Sequence, residues 1–154
     1  MENEILKSNL NIYQEIKQRI KLHEGYRDTI YADSLGFKTI GYGHLITSED
    51  NFKENIKYSK EILEQYFEKD FSIAVKGAEE LLQDIDHNFI IKGVIIEMCF
   101  QLGKPRVSKF KKMFEALKQN NLCNASEEMI NSNWYKQTPT RCESLAIKIK
   151  NANK

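Results

Sequence analysis

Apolar residues recur with a helical period near the start of the chain, ahead of a short segment rich in glycine and β-forming residues. Across residues 10–23 one face is apolar and the other is charged or amidated, and the apolar positions are Ile12, Tyr13, Ile16 and Ile20. This spacing predicts an amphipathic helix, and Gly25 suits the left-handed conformation that commonly ends one. The first seven or eight residues carry little pattern, so we expect them to be frayed or to add one turn.

Residues 26–47 predict a small β-region. Asp33 opens the sequence Asp-Ser-Leu-Gly between two short runs of β-forming residues, which is typical of a hairpin turn. Gly41 and Gly43 follow in the second run, where glycine often marks a bend or a close approach of the backbone to a ligand. Residues 48–58 are polar and are compatible with either a loop or a short helix.

Two long helices are predicted next. Ser59 is a good N-cap for a helix of about 59–82, in which apolar residues recur at steps of three and four. Residues 88–102 are apolar nearly all round, which predicts a buried central helix. Gly103 and Pro105 are expected to terminate that helix.

Capping signals predict the starts of the last helices. Ser108 is expected to open one helix, and Asn124 and Glu127 resemble a capping box at the start of another. Thr138 followed by Pro139 predicts a final helix, with Thr138 as the N-cap and proline at the first helical position.

Composition and charge are those of an ordinary globular domain. The chain has 154 residues, of which 41% are hydrophobic and 29% charged, so we expect one domain over residues 1–154. The 23 basic and 22 acidic residues leave a net charge of +1, and no overall field would attract nucleic acid. Lys109, Lys111 and Lys112 form a local run, which we interpret as a solvated helix face rather than a surface for an acidic polymer.

The cysteines and the amino terminus indicate the cellular compartment in which the chain is made. Cys99, Cys123 and Cys142 are odd in number and form no CxxC pair, so we expect reduced thiols and synthesis in a reducing cytoplasm. The charged amino terminus lacks the apolar core of a signal peptide. No apolar stretch approaches the ~20 residues that span a bilayer, so no stable membrane association is expected.

Two carboxylates bracket the predicted β-region. Glu24 is expected at the end of the first helix and Asp33 in the hairpin turn, an arrangement that can build two walls of a cleft. Cleavage of a glycosidic bond uses such a pair, one carboxyl as the proton donor and the other to handle water or the sugar cation. Spacing alone leaves the alternative open that Glu24 is a solvated surface charge and that Asp33 caps its turn.

The full pattern of this segment is more specific. Glu24 is followed after eight residues by Asp33, after five more by Thr39, and then by Ile-Gly-Tyr-Gly-His, which ends at His44. This pattern resembles the phage-type lysozymes of glycoside hydrolase family 24. Later blocks of that family are matched in order, and they are Phe67-x-x-Asp70, Phe100-Gln101-x-Gly103 and Trp134-Tyr135-x-Gln137-Thr138-Pro139-x-Arg141.

The resemblance implies a lysozyme-like α+β fold, mainly α, with two lobes and a cleft between them. The small α/β lobe is expected over about 24–60, with a β-hairpin or short sheet. The helical lobe would comprise about 10–23 and 80–154, and the helix of about 59–82 would connect the lobes.

The resemblance also implies roles for single residues. Glu24 would be the general acid, and Asp33 and Thr39 would position water on the far face of the sugar, with inversion and a carboxyl separation of roughly 6.5–9.5 Å. The candidate substrate-binding residues are Gly43, Phe100, Gln101 and Arg141. Gln101 is the residue that we expect to face the sugar, Phe100 is open to a second interpretation as core packing, and the resemblance places Arg141 beside Glu24.

His44 and Asp70 resemble a buried histidine–carboxylate pair of the family. Such a pair would tie the two lobes together and raise the pKa of His44. No second histidine or cysteine lies at metal-ligand spacing, so we expect no metal and no cofactor.

The implied activity is that of a muramidase. It would hydrolyse the β-1,4 bond between N-acetylmuramic acid and N-acetylglucosamine in peptidoglycan. A monomer is expected, made in the cytoplasm and acting on the cell wall in the periplasm after release. That route is typical of a cytolytic endolysin with a membrane-permeabilising partner, and an injected or secreted effector is the alternative.

Two other classes of function are alternatives for this sequence. One is a catalytically inactive lysozyme-fold module that binds peptidoglycan, which would have no need to keep Glu24, Asp33 and Thr39 together. The other is a helical interaction protein, which leaves the glycine-rich hairpin and His44 unexplained. The chain departs from the best-known family members in a shorter segment 45–58, a longer amino terminus and a nearly neutral charge.

Overall fold

The computed structural model describes residues 2–153, which form eight helices and one small sheet. The helices are α1 (Glu2–Glu24), α2 (Lys60–Leu81), α3 (Phe89–Leu102), α4 (Lys104–Val107), α5 (Lys111–Lys118), α6 (Leu122–Ile130), α7 (Asn133–Gln137) and α8 (Pro139–Lys150). The strands are β1 (Arg27–Ala32), β2 (Lys38–Gly41) and β3 (His44–Leu45). The predicted mainly helical α+β class is confirmed. Within residues 2–153, no helix has both the length and the apolar character needed to cross a membrane.

The chain divides into two compact units. One unit is Gln14–Ile73, and the other comprises the remaining described residues, 2–13 and 74–153. Helices α1 and α2 each contribute residues to both units. The extents of the lobes given by the sequence remain predictions.

The unit Gln14–Ile73 holds the sheet between the second half of α1 and the first half of α2. The sheet is antiparallel in the order β1-β2-β3, with Tyr31 opposite Thr39 and Ile40 opposite His44. Its apolar core consists of residues from α1, β2 and α2, namely Ile16, Ile20, Ile40, Leu63, Phe67 and Phe71. Burying these side chains supplies the main driving force for the unit, at about 1.5–3 kcal/mol each.

The start of α1 corrects one expectation. The helix begins at Glu2, so the first residues are neither frayed nor limited to one added turn. Glu2 and Glu4 lie in the first turn, where negative charge interacts favourably with the helix dipole. The predicted end is confirmed, because Gly25 has φ of 73° and its N–H donates to the carbonyl of Lys21 at 3.0 Å.

The other unit is built around α3. Asn88 caps this helix by accepting the N–H of Ile91 at 3.0 Å, and Ile95, Ile96 and Met98 are fully buried. Helix α8 packs against α3, α6 and α7, and α5 packs against α6. The prediction of a buried central helix over residues 88–102 is therefore confirmed.

Several helix starts differ from the sequence-based expectation. Pro105 does not simply end α3, because it lies in the first turn of the short helix α4. Ser108 follows the end of α4, and α5 begins only at Lys111. Asn124 is not an N-cap, since α6 begins at Leu122 and the side chain of Asn121 accepts the N–H of Asn124 at 3.2 Å.

The final helix begins where it was predicted. Helix α8 starts at Pro139, but the side chain of Thr138 makes no capping hydrogen bond. Its hydroxyl instead accepts a hydrogen bond from the amide of Gln101 at 3.1 Å. The cysteines are free, and burial raises the pKa of the Cys99 and Cys142 thiols to about 12, so these two are unreactive core residues.

Candidate active site

Glu24 is the last residue of α1, and its carboxyl group lies against Gly43. A Cβ atom placed on Gly43 would overlap Oε1 of Glu24 and lie 2.9 Å from its Cδ, which is closer than real side chains approach. Gly43 also has φ of 72°, a conformation that residues with a side chain rarely adopt. The positive φ favours glycine here, and the missing side chain leaves room for the carboxyl group of Glu24 beside the backbone after β2.

Asp33 holds the hairpin turn between β1 and β2. Its Oδ1 accepts the N–H groups of Leu35 at 2.9 Å and Phe37 at 2.8 Å. The turn-capping interpretation of Asp33 is therefore correct as far as Oδ1 is concerned. Oδ2 accepts no hydrogen bond from any residue between 2 and 153, so it remains available to a water molecule or substrate.

Thr39 is buried on β2, with 4% of its surface exposed. Its hydroxyl donates to the carbonyl of Phe37 at 2.9 Å. Because the hydroxyl proton is used in this way, the lone pairs of Oγ1 are what Thr39 can offer to a further partner.

Tyr31 is a site residue that the sequence reasoning missed. It lies opposite Thr39 across the β1–β2 pair, two residues before Asp33 along the chain. Burial raises the pKa of the Tyr31 phenol, the negative charge of Glu24 raises it further, Arg27 lowers it and Asp33 raises it. Both candidate carboxylates therefore lie close enough to act on this phenol.

Arg27 completes this face of the strand. Its guanidinium carbon lies 4.9 Å from the centre of the Tyr31 ring, an arrangement typical of a cation–π contact. The available signal for Tyr31 was its position two residues before Asp33 in a strand, which strict alternation would have placed beside the carboxylate.

His44 lies between two carboxylates. Its Nδ1 is 2.7 Å from Oδ2 of Asp70, the predicted partner, and its Nε2 is 2.8 Å from Oδ2 of Asp50. All three residues belong to the unit Gln14–Ile73, so the pair joins the sheet to α2 and the loop within one unit rather than tying two lobes together, as had been expected. The rings of Phe52 and Tyr66 flank the imidazole.

The interaction between these charged groups shifts the pKa values of both His44 and Asp50. Burial by itself lowers the pKa of His44, but hydrogen bonds to Asp70 and Asp50 and their negative charges outweigh it, so the pKa is raised above 6.5. Burial raises the pKa of Asp50, but the N–H of Thr47 and the hydrogen bond and charge of His44 outweigh that effect, so its pKa is lowered below 3.8. Protonated His44 beside ionised Asp50 is the favoured state between these values.

Asp50→Asn is expected to destabilise the protein in a pH-dependent way. The contribution of His44 is fully present below pH 6.5 and is lost as the pH rises through its raised pKa, whereas that of Asp50 is present above pH 3.8 and is lost as the pH falls through its lowered pKa. We expect a loss of about 1–2 kcal/mol of unfolding free energy near pH 5.5 and a smaller loss near pH 9, measured by denaturant unfolding. Glu49→Gln, an exposed change of equal charge, is the control, and an equal loss for Asp50→Asn at both pH values would contradict the coupling.

The remaining predicted residues belong to the other unit. The amide of Gln101 accepts a hydrogen bond from the indole N–H of Trp134 at 3.0 Å and donates to Thr138 at 3.1 Å. Phe100 is half-buried, and Arg141 is buried with 8% of its surface exposed. Sugar contacts of these residues, and the approach of Arg141 to Glu24, stay predictions.

No local pattern in the sequence predicted the hydrogen bonds that join Gln101, Trp134 and Thr138. Packing of α3 against α8 and of α7 against α8 brings these three residues together.

Within residues 2–153 no group of three or more histidine, cysteine, aspartate or glutamate side chains is arranged to hold a metal ion. The side chains of Glu24, Asp33 and Thr39 can perform proton transfer and the orientation of water. Glu24 can present a carboxyl group, and Asp33 and Thr39 each offer an oxygen that can accept a hydrogen bond.

The chain is similar to known proteins over most of its length. The family model described as phage lysozyme matches residues 21–149. Two proteins of Dictyostelium discoideum, "Probable T4-type lysozyme 1" and "Probable T4-type lysozyme 2", are 34% and 32% identical, with matches that cover 82% of this chain and 88% of each relative. "Peptidoglycan hydrolase gp36" of Pseudomonas phage phiKMV is 30% identical over 84% of this chain and 14% of its own length.

Proposed function

Since the chain belongs to the phage lysozyme family and is a glycoside hydrolase of the cell-wall-degrading type, we propose that it cleaves the β-1,4 bond between N-acetylmuramic acid and N-acetylglucosamine. The observation that carries this proposal is the position of the Glu24 carboxyl group against Gly43, in the same unit as Asp33 and Thr39. A glycine whose missing side chain leaves space for a carboxyl group is a feature of a site built around that group.

Glu24 acts as the general acid in the proposed reaction. Its proton passes to the glycosidic oxygen as the bond from that oxygen to the anomeric carbon breaks. A water molecule adds to the anomeric carbon, and its proton passes to Asp33.

The hydrogen bonds of the turn suit Asp33 and Thr39 to hold this water. Oδ2 of Asp33 and Oγ1 of Thr39 are both acceptors, because the hydroxyl proton of Thr39 is already donated to Phe37. A water molecule that donates one hydrogen to each of them turns its lone pair outward for attack. Attack from the face opposite the leaving group gives inversion.

The proposed action is on the cell wall outside the cytoplasm, after the protein has been delivered there with a membrane-permeabilising partner. Gln101, Phe100 and Arg141 are proposed as further substrate-binding residues. The side chain of Gln101 is held in one orientation by its hydrogen bonds to Trp134 and Thr138. A fixed orientation would favour contact with a sugar in one geometry.

Analysis of digested peptidoglycan tests the proposed bond. Purified sacculi are incubated with the protein, the products are reduced with borohydride, and the reduced sugar at each new end is identified by mass spectrometry. Reduced muramic acid is the expected result. Reduced glucosamine, or binding to sacculi without any products, would overturn the proposal. Nuclear magnetic resonance of the first product should show the α-anomer if the reaction inverts.

Two substitutions of Asp33 separate its structural and catalytic roles. Asp33→Asn keeps an oxygen that can accept the turn hydrogen bonds but removes the charge, so we expect hydrolysis to fall about 100-fold with little change in stability. Asp33→Ala removes both and should also lower the unfolding free energy by about 1–2 kcal/mol. Initial rates on sacculi and thermal unfolding check these outcomes, and full activity of Asp33→Asn would show that Asp33 serves the turn alone.

A further inference from the structure

A cavity of about 510 Å³ lies beside the ends of α4 and α5, within the unit that contains residues 74–153. Four cationic side chains line it, those of Arg106, Lys109, Lys111 and Lys112, against the single carboxylate of Glu128. We call this cavity the basic groove. Because the whole chain carries a net charge of only +1, the groove is a local concentration of positive charge.

The lysines of the basic groove lack protein counter-ions. Within the described chain, residues 2–153, Lys109, Lys111 and Lys112 form no ion pair, whereas Lys17, for example, pairs with Glu68 at 2.7 Å. Lysines close together without partners repel each other, and a bound anion would relieve that repulsion. Lys109, Lys111 and Lys112 are exposed, as the solvated-face interpretation of this run predicts, and the structure adds that they line a cavity.

Other groups of the groove add to its preference for an anion. The guanidinium of Arg106 donates to the side chain of Gln137 at 3.2 Å, which fixes its position at the rim. Lys111, Lys112 and Met113 form the first turn of α5, and Phe110 before them provides no side-chain cap. The N–H groups of an uncapped first turn add partial positive charge.

We propose that the basic groove is a second binding site, and that it takes a phosphate group, either free or carried on a sugar. A phosphate carries up to two charges and presents several acceptor oxygens, which matches several lysines and an arginine better than a lone carboxylate does. Asn131 and Asn133 also line the groove and can hydrogen-bond to sugar hydroxyls, whereas the hydroxyl of Ser132 is already hydrogen-bonded to Met129 and Tyr135. The proposal does not depend on the proposed hydrolysis and can be tested without it.

Trp134 provides an indirect probe. It is the single tryptophan of the chain and is buried in the wall of the groove with 1% of its surface exposed, so its fluorescence reports changes in the packing of that wall. The intact protein is titrated with inorganic phosphate, glucosamine 6-phosphate and glucosamine, and calorimetry of the same titrations covers a ligand that leaves the emission unchanged. We expect saturable binding of both phosphates, weakened by added salt, and none of glucosamine. Tighter binding of glucosamine 6-phosphate indicates a phosphorylated sugar as ligand, and equal binding indicates free phosphate.

A pair of matched double variants assigns the site. Lys109→Gln with Lys112→Gln should raise the dissociation constant for phosphate at least about tenfold. Lys57→Gln with Lys76→Gln removes the same charge from exposed positions outside the groove and should leave binding unchanged. Thermal unfolding confirms that both variants are folded. No binding by the unmodified protein, equal weakening in both variants, or equal binding of glucosamine would each overturn the proposal.

Discussion

Glu24→Gln is expected to reduce the hydrolysis of purified peptidoglycan about 1000-fold, within the range that general acid catalysis contributes. The amide has nearly the shape of the carboxyl group and fits the same space beside Gly43, but it cannot donate a proton to the glycosidic oxygen. Folding and binding to sacculi should therefore persist. The release of reducing ends at equal concentrations of folded protein measures the loss, and thermal unfolding measures stability.

Glu61→Gln is the matched control for this experiment. Glu61 is an exposed residue in the first turn of α2, so the same chemical change there should leave the rate unaltered. Equal hydrolysis by the unmodified protein and Glu24→Gln would remove Glu24 from the mechanism. Binding to sacculi without hydrolysis by either protein would favour the alternative of an inactive binding module.

The sequence was most informative where a local rule determines the structure. Gly25 ends α1, Asp33 turns the chain between β1 and β2, and Ser59 caps α2, with its hydroxyl accepting the N–H of Ile62 at 3.2 Å. Each of these depends on hydrogen bonds within about four residues of sequence, so residue types at fixed spacing are sufficient to predict them.

Capping was mispredicted where two candidates lay close together. Asn121 and Asn124 are both acceptable N-caps by residue type, and the structure uses Asn121 because Leu122 then becomes the first helical residue and is buried. The prediction that Ser108 opens a helix was also wrong. Helix α4 ends just before Ser108, and α5 begins at Lys111 with Met113 buried in its first turn. Packing of the apolar residues in the tertiary structure, which a capping rule does not contain, decides between such candidates.

Contacts through space were the least predictable part of the site. Asp50 lies in a polar loop without periodicity, yet it provides the second carboxylate on His44. Gln101 pairs with Trp134 across 33 residues of sequence, which no local pattern specifies. The resemblance to lysozymes indicated which positions matter, and the structure added which atoms of Asp33, Thr39 and Gln101 are already committed to hydrogen bonds within the protein.

Gly43→Ala is expected to impair both activity and stability. The new methyl group would overlap Oε1 of Glu24, so the carboxyl group must move, and a displacement of about 1 Å can cost about 100-fold in rate. Alanine at φ of 72° adds backbone strain, so we expect the unfolding free energy to fall by about 1–3 kcal/mol. Hydrolysis rates on sacculi and denaturant unfolding provide the two measurements.

Gly103→Ala separates strain from the displacement of Glu24. Gly103 has φ of 85°, but a Cβ there would come no closer than 3.8 Å to Pro105, an ordinary contact. This variant should therefore share the stability loss of backbone strain, about 1–3 kcal/mol, while its hydrolysis rate stays near that of the unmodified protein. If both glycine variants lost activity in proportion to stability, the loss would reflect unfolding. If, at equal concentrations of folded protein, Gly43→Ala lost far more activity than Gly103→Ala, the extra loss would come from displacement of the Glu24 carboxyl group.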